Sequence, residues 1–306
     1  MVRLGIDLGG TKIEIAALDE SGRVIARHRR ATPQGSYGEI LDVIADLVER
    51  VEEELGCRAS VGMGTPGSLS RATGLLRNSN SVCLNNKPLL EDMERLLARP
   101  VRMANDANCL VLSEAADGAG AGARVVFGVI LGTGVGGAIA ADGRVLSGAN
   151  AIAGEWGHNP LPWPRDEERP GPPCYCGKDG CIETFISGPA MAADHKKATG
   201  NTLAPPDIAS LAEAGDRRCG ETMERYTERL ARALAHVINI VDPDVIVLGG
   251  GLSNIGRLYT EVPALWGAYV FSDRVDTRLV PAQHGDSSGV LGAARLWPAE
   301  GKADSP

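Results

Sequence analysis

The opening of the chain alternates short apolar runs with glycine turns and then changes to a helical pattern. LGID is apolar, LGGTK is a glycine turn, IEIAAL alternates apolar and polar residues, and VIARHRR follows the turn ESGR. These runs predict three strands joined by tight turns. The next segment, residues 37–55, then predicts an amphipathic helix closed by Gly56, because its apolar residues recur at helical spacing at Ile40, Ile44, Leu47, Val48 and Val51.

The remaining pattern also alternates between strands and helices. ASVGMGTPG predicts a short strand that runs into a loop, PLLEDMERLLAR an amphipathic helix, VRMAN a strand, and DANCLVLSEAADG a helix ended by Gly118. TMERYTERLARALAHVINIV predicts a long helix and DVIVLGGG a strand. We expect the last apolar segment, SSGVLGAARLW, to be a helix that packs back on the first lobe.

Residues 125–148 repeat the opening unit. FGVILGTGVGGAIAADGRVLSG aligns with LGIDLGGTKIEIAALDESGRVIA, so that Gly5 falls on Gly128 and Gly9 on Gly132. An internal repeat of one supersecondary unit indicates duplication. The sequence therefore predicts an α/β protein with two related lobes.

Composition narrows the class of protein. The 306 residues carry a formal net charge of −8 and no basic cluster, which argues against a nucleic-acid or anionic-membrane surface. The longest uncharged run, residues 125–141, is shorter than the roughly 20 residues of a spanning helix and is broken by glycines. With no signal-peptide pattern at the N-terminus, we expect a cytoplasmic enzyme without nucleic-acid or membrane partners.

The stretch CYCGKDGC predicts a metal site. Cys174, Cys176 and Cys181 have the spacing C-x-C-x₄-C, and the nearest upstream histidine is His158 in GEWGH. Three thiolates and one imidazole are a usual ligand set for structural Zn²⁺, and four protein ligands leave no position for substrate. A disulfide within the cluster and three free thiols are the alternatives. His195, His236 and His284 are weaker ligand candidates, and the remaining cysteines are expected to be small buried hydrophobes, namely Cys57, Cys83, Cys109 and Cys219.

Three glycine-rich turns are candidate phosphate-binding loops: DLGGTK (7–12), LGTGVGG (131–137) and LGGG (248–251). Glycine lets backbone N–H groups approach phosphate oxygens closely, although each turn alone is more often a tight hairpin. GTGVGG satisfies the dinucleotide pattern G-x-G-x-x-G, but a strand-like segment follows it instead of the required helix. Three such turns favour one shared nucleotide cleft. Asp7, at the end of the first strand, is either a site for water-bound Mg²⁺ or a cap of the turn.

A candidate catalytic carboxylate follows the strand VRMAN. Asn105 and Asp106 stand at the start of the next helix, where the dipole stabilises an ionised carboxylate. Such an aspartate can accept a proton from an attacking sugar hydroxyl, while helix capping is the plain alternative. Glu155 and Glu183 flank the predicted metal segment, so a bound ion would hold both carboxylates at a polar ligand site.

These motifs together resemble the ROK (repressor, open reading frame, kinase) family of sugar kinases in the actin/hexokinase superfamily. The match runs nearly end to end through GIDLGGTK, GMGTPG, NDAN, LGTGVGG, GEWGH, CYCGKDGCIE, DPDVIVLGGG and HGDSSGVLGAA. The resemblance implies a two-lobed actin-like fold with a duplicated βββαβα core and an active-site cleft between the lobes. It implies an N-terminal lobe at 1–117 with a C-terminal helix at about 288–306, and a second lobe at 118–287 that contains the zinc-binding segment 155–185.

The resemblance also assigns roles to residues. Asp106 would be the catalytic base, and the sugar would contact Gly64, Asn105, Asp106, Glu155, His158 and Glu183. ATP would be held by Asp7, Gly9, Gly10, Thr11, Lys12, Gly132, Thr133, Gly134, Gly249, Gly250 and Gly251. His158 would both ligate zinc and donate to the sugar from its other ring nitrogen. The implied cofactors are ATP, Mg²⁺ and structural Zn²⁺, and the implied assembly is a homodimer.

Within the family, NSNSVCLNNKPL, EWGHNPLPW and CIETFISG look most like the bacterial fructokinase branch. The expected reaction is phosphorylation of the 6-hydroxyl of D-fructose, with mannose or glucose as further acceptors and N-acetylglucosamine or N-acetylmannosamine kinase as the alternative. A sugar-responsive repressor is disfavoured because the phosphate hairpin begins at residue 3, which leaves no room for a DNA-binding domain. A non-catalytic sugar sensor and a nicotinamide-dependent dehydrogenase are the other rivals.

Overall fold

The computed structural model describes residues 1–79 and 81–298, which form two compact units. The first unit comprises Met1–Ala116, Ser147–Ala151 and the chain from Asp286 onward, and the second comprises Asp117–Leu146 and Ile152–Gly285. The short segment Ser147–Ala151 groups with the first unit, which no compositional signal in the sequence indicates. Residues 299–306 of the expected C-terminal helix lie outside the described residues.

The first unit is built on a sheet with strand order β3-β2-β1-β4-β7. Strands β1, β2 and β3 form antiparallel hairpins, whereas β4 and β7 run parallel to β1. A separate antiparallel hairpin joins β5 and β6. The strands are β1 Arg3–Leu8, β2 Lys12–Leu18, β3 Val24–Ala31, β4 Ser60–Thr65, β5 Ser68–Leu69, β6 Leu76–Arg77 and β7 Val101–Asn105, and the helices are α1 Tyr37–Leu55, α2 Leu89–Leu97 and α3 Asp106–Asp117.

Local signals determine helix α1. The hydroxyl of Ser36 accepts a hydrogen bond from the backbone N–H of Glu39, and Gly56 adopts the left-handed conformation (φ 64°) that ends the helix. The buried face consists of the five apolar residues that the periodicity picks out. Helix α1 therefore begins and ends where the sequence predicts, and its apolar face joins the core of the first unit.

The second unit repeats the same sheet, with strand order β10-β9-β8-β11-β12. Strands β8, β9 and β10 are antiparallel hairpins, and β11 and β12 run parallel to β8. The matching strand orders confirm the duplicated α/β fold. The strands are β8 Val125–Leu131, β9 Val135–Ala141, β10 Arg144–Val145, β11 Val245–Gly249 and β12 Arg278–Pro281, and the helices are α4 Glu183–Ile186, α5 Gly188–Thr199, α6 Pro205–Glu213, α7 Arg217–Val241 and α8 Leu258–Trp266.

Strand β9 distinguishes the hairpin-turn interpretation of GTGVGG from the dinucleotide-binding interpretation. The segment directly after this turn forms a strand that pairs antiparallel with β8. A dinucleotide-binding loop would lead into a helix instead, with the pyrophosphate at the helix N-terminus. The dehydrogenase interpretation therefore lacks its structural context.

A last helix, α9 (Ser288–Arg295), packs on the sheet of the first unit. It lies against Ala16 and Leu18 of β2, whereas the neighbouring Ile15 and Ala17 join the core cluster that contains the buried face of α1. Helix α9 thus covers the opposite sheet face, because successive strand residues point to opposite sides. Glycines allow a very close approach: a Cβ added at Gly62 would lie 1.9 Å from the carbonyl oxygen of Ala293.

Of the four cysteines outside the cluster that were expected to be buried, two are buried and two are not. Cys57 is exposed because it directly follows the left-handed Gly56 cap and leaves the apolar face of α1, and Cys83 is only partly buried. Cys109 and Cys219 are buried as expected. Within residues 1–79 and 81–298, no helix is both long enough and apolar enough to cross a membrane.

We predict that Gly62→Ala lowers the free energy of unfolding by about 1–3 kcal/mol or more, because the new methyl group forces α9 away from β4. Gly38→Ala is the matched control. This glycine lies in α1 with nothing within 4 Å of an added Cβ, so stability should stay equal or rise by up to about 1 kcal/mol. Urea unfolding of both variants measures the difference, and equal stability would contradict the close α9 packing.

Candidate functional site

A row of charged side chains crosses the sheet of the first unit next to the first glycine turn. Arg29 of β3 pairs with Glu14 of β2, and Glu14 pairs with Asp7 of β1. Glu14 is fully buried, and its carboxylate accepts hydrogen bonds from Arg27 at 2.5 Å and Arg29 at 2.7 Å. The Nζ atom of Lys12 lies 3.7 Å from the same carboxylate. The cations of β2 and β3 thus offset a buried negative charge beside Asp7.

Asp7 has a strongly perturbed carboxyl group. Burial is the largest influence, and together with the negative charges of Asp106 and Glu14 it raises the pKa of Asp7 to about 7. Lys12 and Arg29 act in the opposite direction but do not cancel the shift. Negative charge on Asp7 is therefore costly without a further cation, which is the environment in which a carboxylate suits a metal ion.

Asp106 stands at the neighbouring strand end, at the start of α3. Its Oδ1 accepts a hydrogen bond from the backbone N–H of Ala107 at 2.8 Å, and Oδ1 of Asn105 accepts one from Asn108 at 2.7 Å. The capping interpretation of this pair therefore holds for Asn105. The same bonds fix both side chains at the carboxyl edge of the parallel strands, where α/β sheets bind ligands.

Gly64 lies between these two carboxylates in the sheet. It pairs with Asp7 on one side and with Ala104 on the other, and it is buried. A Cβ added there would lie 3.1 Å from Sγ of Cys109 in α3. The structure therefore gives Gly64 a packing role: it lets α3, which begins with Asp106, lie close to β4.

The first glycine turn is held from behind by the end of β3. The backbone N–H of Gly9 donates to the carbonyl of Lys12 at 3.0 Å, and the Gly9 carbonyl accepts from the hydroxyl of Thr32 at 2.7 Å. Gly10 and Thr11 at the tip are exposed. These hydrogen bonds fix the base of the hairpin turn, and its tip is exposed.

The second and third glycine turns lie together in the second unit. Gly250 follows β11 with φ +81°, and a Cβ on it would lie 2.5 Å from the carbonyl oxygen of Leu131, at the base of the second turn. In the second turn itself, the N–H of Gly132 donates to Gly134 at 3.0 Å, and Thr133 at the tip is exposed. The third turn contains Gly249 at the end of β11 and Gly251 at the start of a 3₁₀ helix.

The four predicted metal ligands converge. The ligand atoms of His158, Cys174, Cys176 and Cys181 all lie within 4.8 Å of one another. Sγ of Cys174 is 3.5 Å from Nδ1 of His158, and the sulfurs of Cys176 and Cys181 are 3.6 Å apart. A tetrahedral ion with Zn–S bonds of about 2.3 Å places its sulfur ligands about 3.8 Å apart, so this donor set fits Zn²⁺. All three cysteines are free thiols in this structure, without a disulfide.

The thiols also affect one another electrostatically. Burial is the largest influence on Cys181 and, with the neighbouring cysteines, raises its pKa to about 12. Burial likewise raises the pKa of Cys174, whereas the hydrogen bond from the backbone of Lys178 lowers that of Cys176. Thiolates brought this close need a shared cation to stay ionised together.

The motif GEWGH docks on strand β9 through its tryptophan and glycines. The Nε1–H of Trp156 donates to the carbonyl of Gly136 at 3.0 Å, and its ring packs edge-on against Phe127. A Cβ on Gly137 would lie 2.6 Å from that ring, and one on Gly157 would lie 2.1 Å from the carbonyl oxygen of Val135. The last glycine of GTGVGG therefore makes room for Trp156, which places Glu155 and His158 beside the turn.

Glu183 links the cysteine segment to the second glycine turn. It begins α4 two residues after Cys181, and its Oε2 accepts a hydrogen bond from the backbone N–H of Val135 at 2.8 Å. The same oxygen would lie 2.6 Å from a Cβ on Gly134. The N–H of Gly188 adds a second link by donating to the carbonyl of Gly132 at 2.8 Å.

The ring nitrogens of His158 have different neighbours. Nδ1 faces the thiol of Cys174, whereas Nε2 lies 2.9 Å from the hydroxyl of Tyr175. Desolvation is the largest influence on this hydroxyl and, together with the negative charges of Glu183, Cys174 and Glu155, raises the pKa of Tyr175 to about 12. The phenol hydroxyl therefore bonds to a side chain that the resemblance assigns to the sugar.

The proline-rich loop 163–173 is anchored by buried ion pairs. Glu168 accepts hydrogen bonds from Arg229 at 2.8 Å and Arg232 at 2.9 Å, both on α7. Arg232 also donates to the carbonyl of Trp163 at 2.6 Å. The loop is thus fixed at its start and centre before the chain reaches Cys174.

Comparisons with known proteins cover nearly the whole chain. The model of the ROK family matches residues 3–300. The chain belongs to the ROK family. An N-acetyl-D-glucosamine kinase of Photobacterium profundum is 39% identical to this ROK protein over 296 residues, which is 95% of this chain and 98% of the relative.

Solved structures of the family superpose over nearly the full length. A ROK hexokinase from Thermus thermophilus is 31% identical, with a TM-score of 0.86 over 96% of this chain and 97% of the other. A ROK family glucokinase from Streptomyces griseus, in complex with glucose and AMPPNP, is 27% identical, with a TM-score of 0.79 over 97% and 99%. The actin-like fold of this ROK protein is therefore established.

Sequence reasoning missed several polar residues of this ROK protein. Glu14 occupies a position that the alternation of β2 suggests is exposed, and only the pairing with Arg29 reveals that it is buried. Tyr175 carries no signal beyond its place between two cysteines. Glu168 stands in a stretch without periodicity, so its pairing with α7 was not visible.

We predict that Gly134→Ala destabilises this ROK protein by about 1–3 kcal/mol, because the methyl group displaces Glu183 and leaves the N–H of Val135 without its acceptor. In a Glu183→Ala background the same change should cost almost nothing further. Gly132→Ala is the matched control, since nothing lies within 4 Å of a Cβ there. Urea unfolding of the double-mutant cycle measures the coupling, and additive effects would contradict the contact.

Proposed function

We propose that this ROK protein is an ATP-dependent hexose kinase that transfers the γ-phosphoryl group of Mg-ATP to the 6-hydroxyl of a sugar. The observation that carries the proposal is the position of Asp106. Its carboxylate is fixed at the start of α3, beside Asp7 and at the carboxyl edge of the parallel strands. Full-length relatives that are named sugar kinases support the same reaction.

In this proposal Asp106 is the general base. It accepts the proton of the acceptor hydroxyl as that oxygen attacks the γ-phosphorus in line with the leaving ADP oxygen. Asp7 would hold Mg²⁺, and the ion would offset the negative charge that burial and Asp106 make costly on Asp7. The exposed tips of the two hairpin turns bind ATP phosphates through backbone N–H groups, and the turn at 249–251 lies near the adenosine.

The acceptor hydroxyls would be bound by Asn105, Glu155, His158 and Glu183. Because Oδ1 of Asn105 already accepts from Asn108, its amide NH₂ group serves as the donor to the sugar. One oxygen of Glu183 is engaged by Val135, which leaves its other carboxylate oxygen as the acceptor for a hydroxyl. The carboxylate of Glu183 would then contact both the second glycine turn and the sugar.

Two acceptors are favoured by different observations. The curated relatives support N-acetyl-D-glucosamine, since those at 38–39% identity over 95% of the chain are named for that substrate. D-Fructose is the second candidate, supported by the resemblance of NSNSVCLNNKPL, EWGHNPLPW and CIETFISG to the fructokinase branch. Asn80, within the first of these segments, lies outside the described residues.

We predict that ADP release with Mg-ATP depends on the sugar and on Asp106. The panel contains N-acetylglucosamine, fructose, mannose, glucose and N-acetylmannosamine, and the highest kcat/KM identifies the acceptor. Asp106→Asn should lower kcat about 10²–10⁴-fold with little change in KM, because it removes the base and keeps the shape.

Asp42→Asn on the exposed face of α1 is the control and should be fully active. Unchanged turnover of the Asp106 variant would remove this residue from the mechanism. No turnover of any sugar by the wild type would contradict the kinase proposal.

We further propose that His158, Cys174, Cys176 and Cys181 hold a structural Zn²⁺. The support is the convergence of four suitable ligand atoms and the absence of a disulfide among these three thiols. The ion would hold the chain ends that carry Glu155 and Glu183, and would supply no step of the phosphoryl transfer.

We predict about one zinc ion per chain by mass spectrometry of the metal, and its loss in Cys176→Ser. The variant should raise the sugar KM more than the ATP KM, because Glu155 and His158 lose their fixed positions. Cys57→Ser removes another exposed thiol outside the cluster and should keep the metal. A fully active wild type without metal would contradict the structural role.

A further inference from the structure

Tyr175 is a polar residue of the candidate site to which none of the roles above is assigned. It stands between Cys174 and Cys176, and 74% of its surface is exposed although it is a large aromatic residue. Its hydroxyl lies 2.9 Å from Nε2 of His158, in an exposed hydrogen bond. An exposed ring with a hydrogen-bonded hydroxyl is notable here because the site is proposed to bind sugar hydroxyl groups.

The position of that hydroxyl is defined by the imidazole. Nδ1 of His158 faces the thiol of Cys174, so Nε2 is the ring nitrogen directed away from the sulfur cluster. It is therefore the atom through which His158 can bond an external hydroxyl. In this structure the phenol oxygen of Tyr175 already occupies the bonding position.

The group that Tyr175 places at His158 resembles the proposed ligand. A phenol hydroxyl resembles a sugar hydroxyl in size and in its single donor and two acceptor lone pairs. Tyr175 thus presents to Nε2 of His158 the kind of group that a bound sugar would present.

We propose that Tyr175 is a placeholder in the acceptor site, whose hydroxyl holds Nε2 of His158 until a sugar hydroxyl displaces it. The proposal rests on the sugar-kinase function proposed above. It makes Tyr175 a residue that sets the affinity for every acceptor, since each must break the same hydrogen bond before it can use His158.

The surroundings of the ring permit this displacement. The Tyr175 ring packs edge-on against the His158 ring, with 5.1 Å between the ring centroids. The backbone of the segment is held independently, because the N–H of Cys174 donates to the carbonyl of Lys178 at 2.8 Å and that of Gly177 donates to Cys174 at 3.0 Å. Rotation of the side chain therefore moves the phenol and leaves the cysteine positions unchanged.

The test is Tyr175→Phe, which removes the hydroxyl and keeps the ring. Calorimetric titration with the best acceptor of the panel should show a Kd about two- to tenfold lower than that of the wild type, since one hydrogen bond no longer has to be broken. The acceptor KM should fall in parallel, while kcat, the ATP KM and the metal content stay unchanged. Tyr269→Phe is the matched control, because it removes a hydroxyl that donates to Glu228 at 2.9 Å, away from the cysteines.

An equal or higher Kd in Tyr175→Phe, with a wild type that binds and phosphorylates a sugar, would overturn the placeholder role and leave the kinase proposal intact. A higher Kd in particular would mean that the hydroxyl contacts the bound sugar. If the wild type neither binds nor phosphorylates any sugar of the panel, the proposed function fails, and the role of Tyr175 fails with it.

Discussion

Three thiols and an imidazole can remain within 4.8 Å of one another only if the chain around them is fixed or a cation is shared among them. The chain is fixed on both sides of the cluster: Glu168 anchors the loop before Cys174 to α7, and Trp156 anchors GEWGH to β9. These contacts hold an irregular, glycine- and proline-rich segment in place, and the proposed Zn²⁺ would add the shared cation. Rigid backbone is what a polar ligand site needs, because each hydroxyl contact is lost if its partner moves.

The cysteine segment is linked to the second glycine turn by the carboxylate of Glu183 and by the N–H of Gly188, which donates to the carbonyl of Gly132. Glu183 begins α4 shortly after Cys181 and accepts from the N–H of Val135, while Gly134 leaves the space that its oxygen occupies. A Cβ at 134 would lie 2.6 Å from this oxygen, so Glu183 would have to shift. Two glycines of the turn thus have packing roles: Gly134 leaves room for Glu183 and Gly137 for Trp156, whereas nothing lies within 4 Å of a Cβ at Gly132.

Elements with local causes could be predicted from the sequence. Helix α1 has its periodicity, its Ser36 cap and its Gly56 end within one short segment, and its bounds are as expected. Features with distant causes could not be predicted. The buried Glu14 of β2 bonds to Arg27 and Arg29 of the neighbouring β3, and Gly62 is required because α9, more than 220 residues later in the chain, packs against it. The cysteine cluster was predictable because chemistry, rather than periodicity, restricts which four residues can converge.

The charge balance of the first unit bears on the proposed binding of an anionic nucleotide by this acidic protein. Burial, together with the negative charges of Asp106 and Glu14, raises the pKa of Asp7 to about 7, and Lys12 and Arg29, which also lie near Glu14, do not cancel the shift. A nucleotide alone would add negative charge to this arrangement. In the proposed function, a nucleotide that arrives with a divalent cation would supply positive charge, because the ion would stabilise an ionised Asp7 beside Asp106. On this proposal the two carboxylates would favour the metal complex of the nucleotide over the free anion.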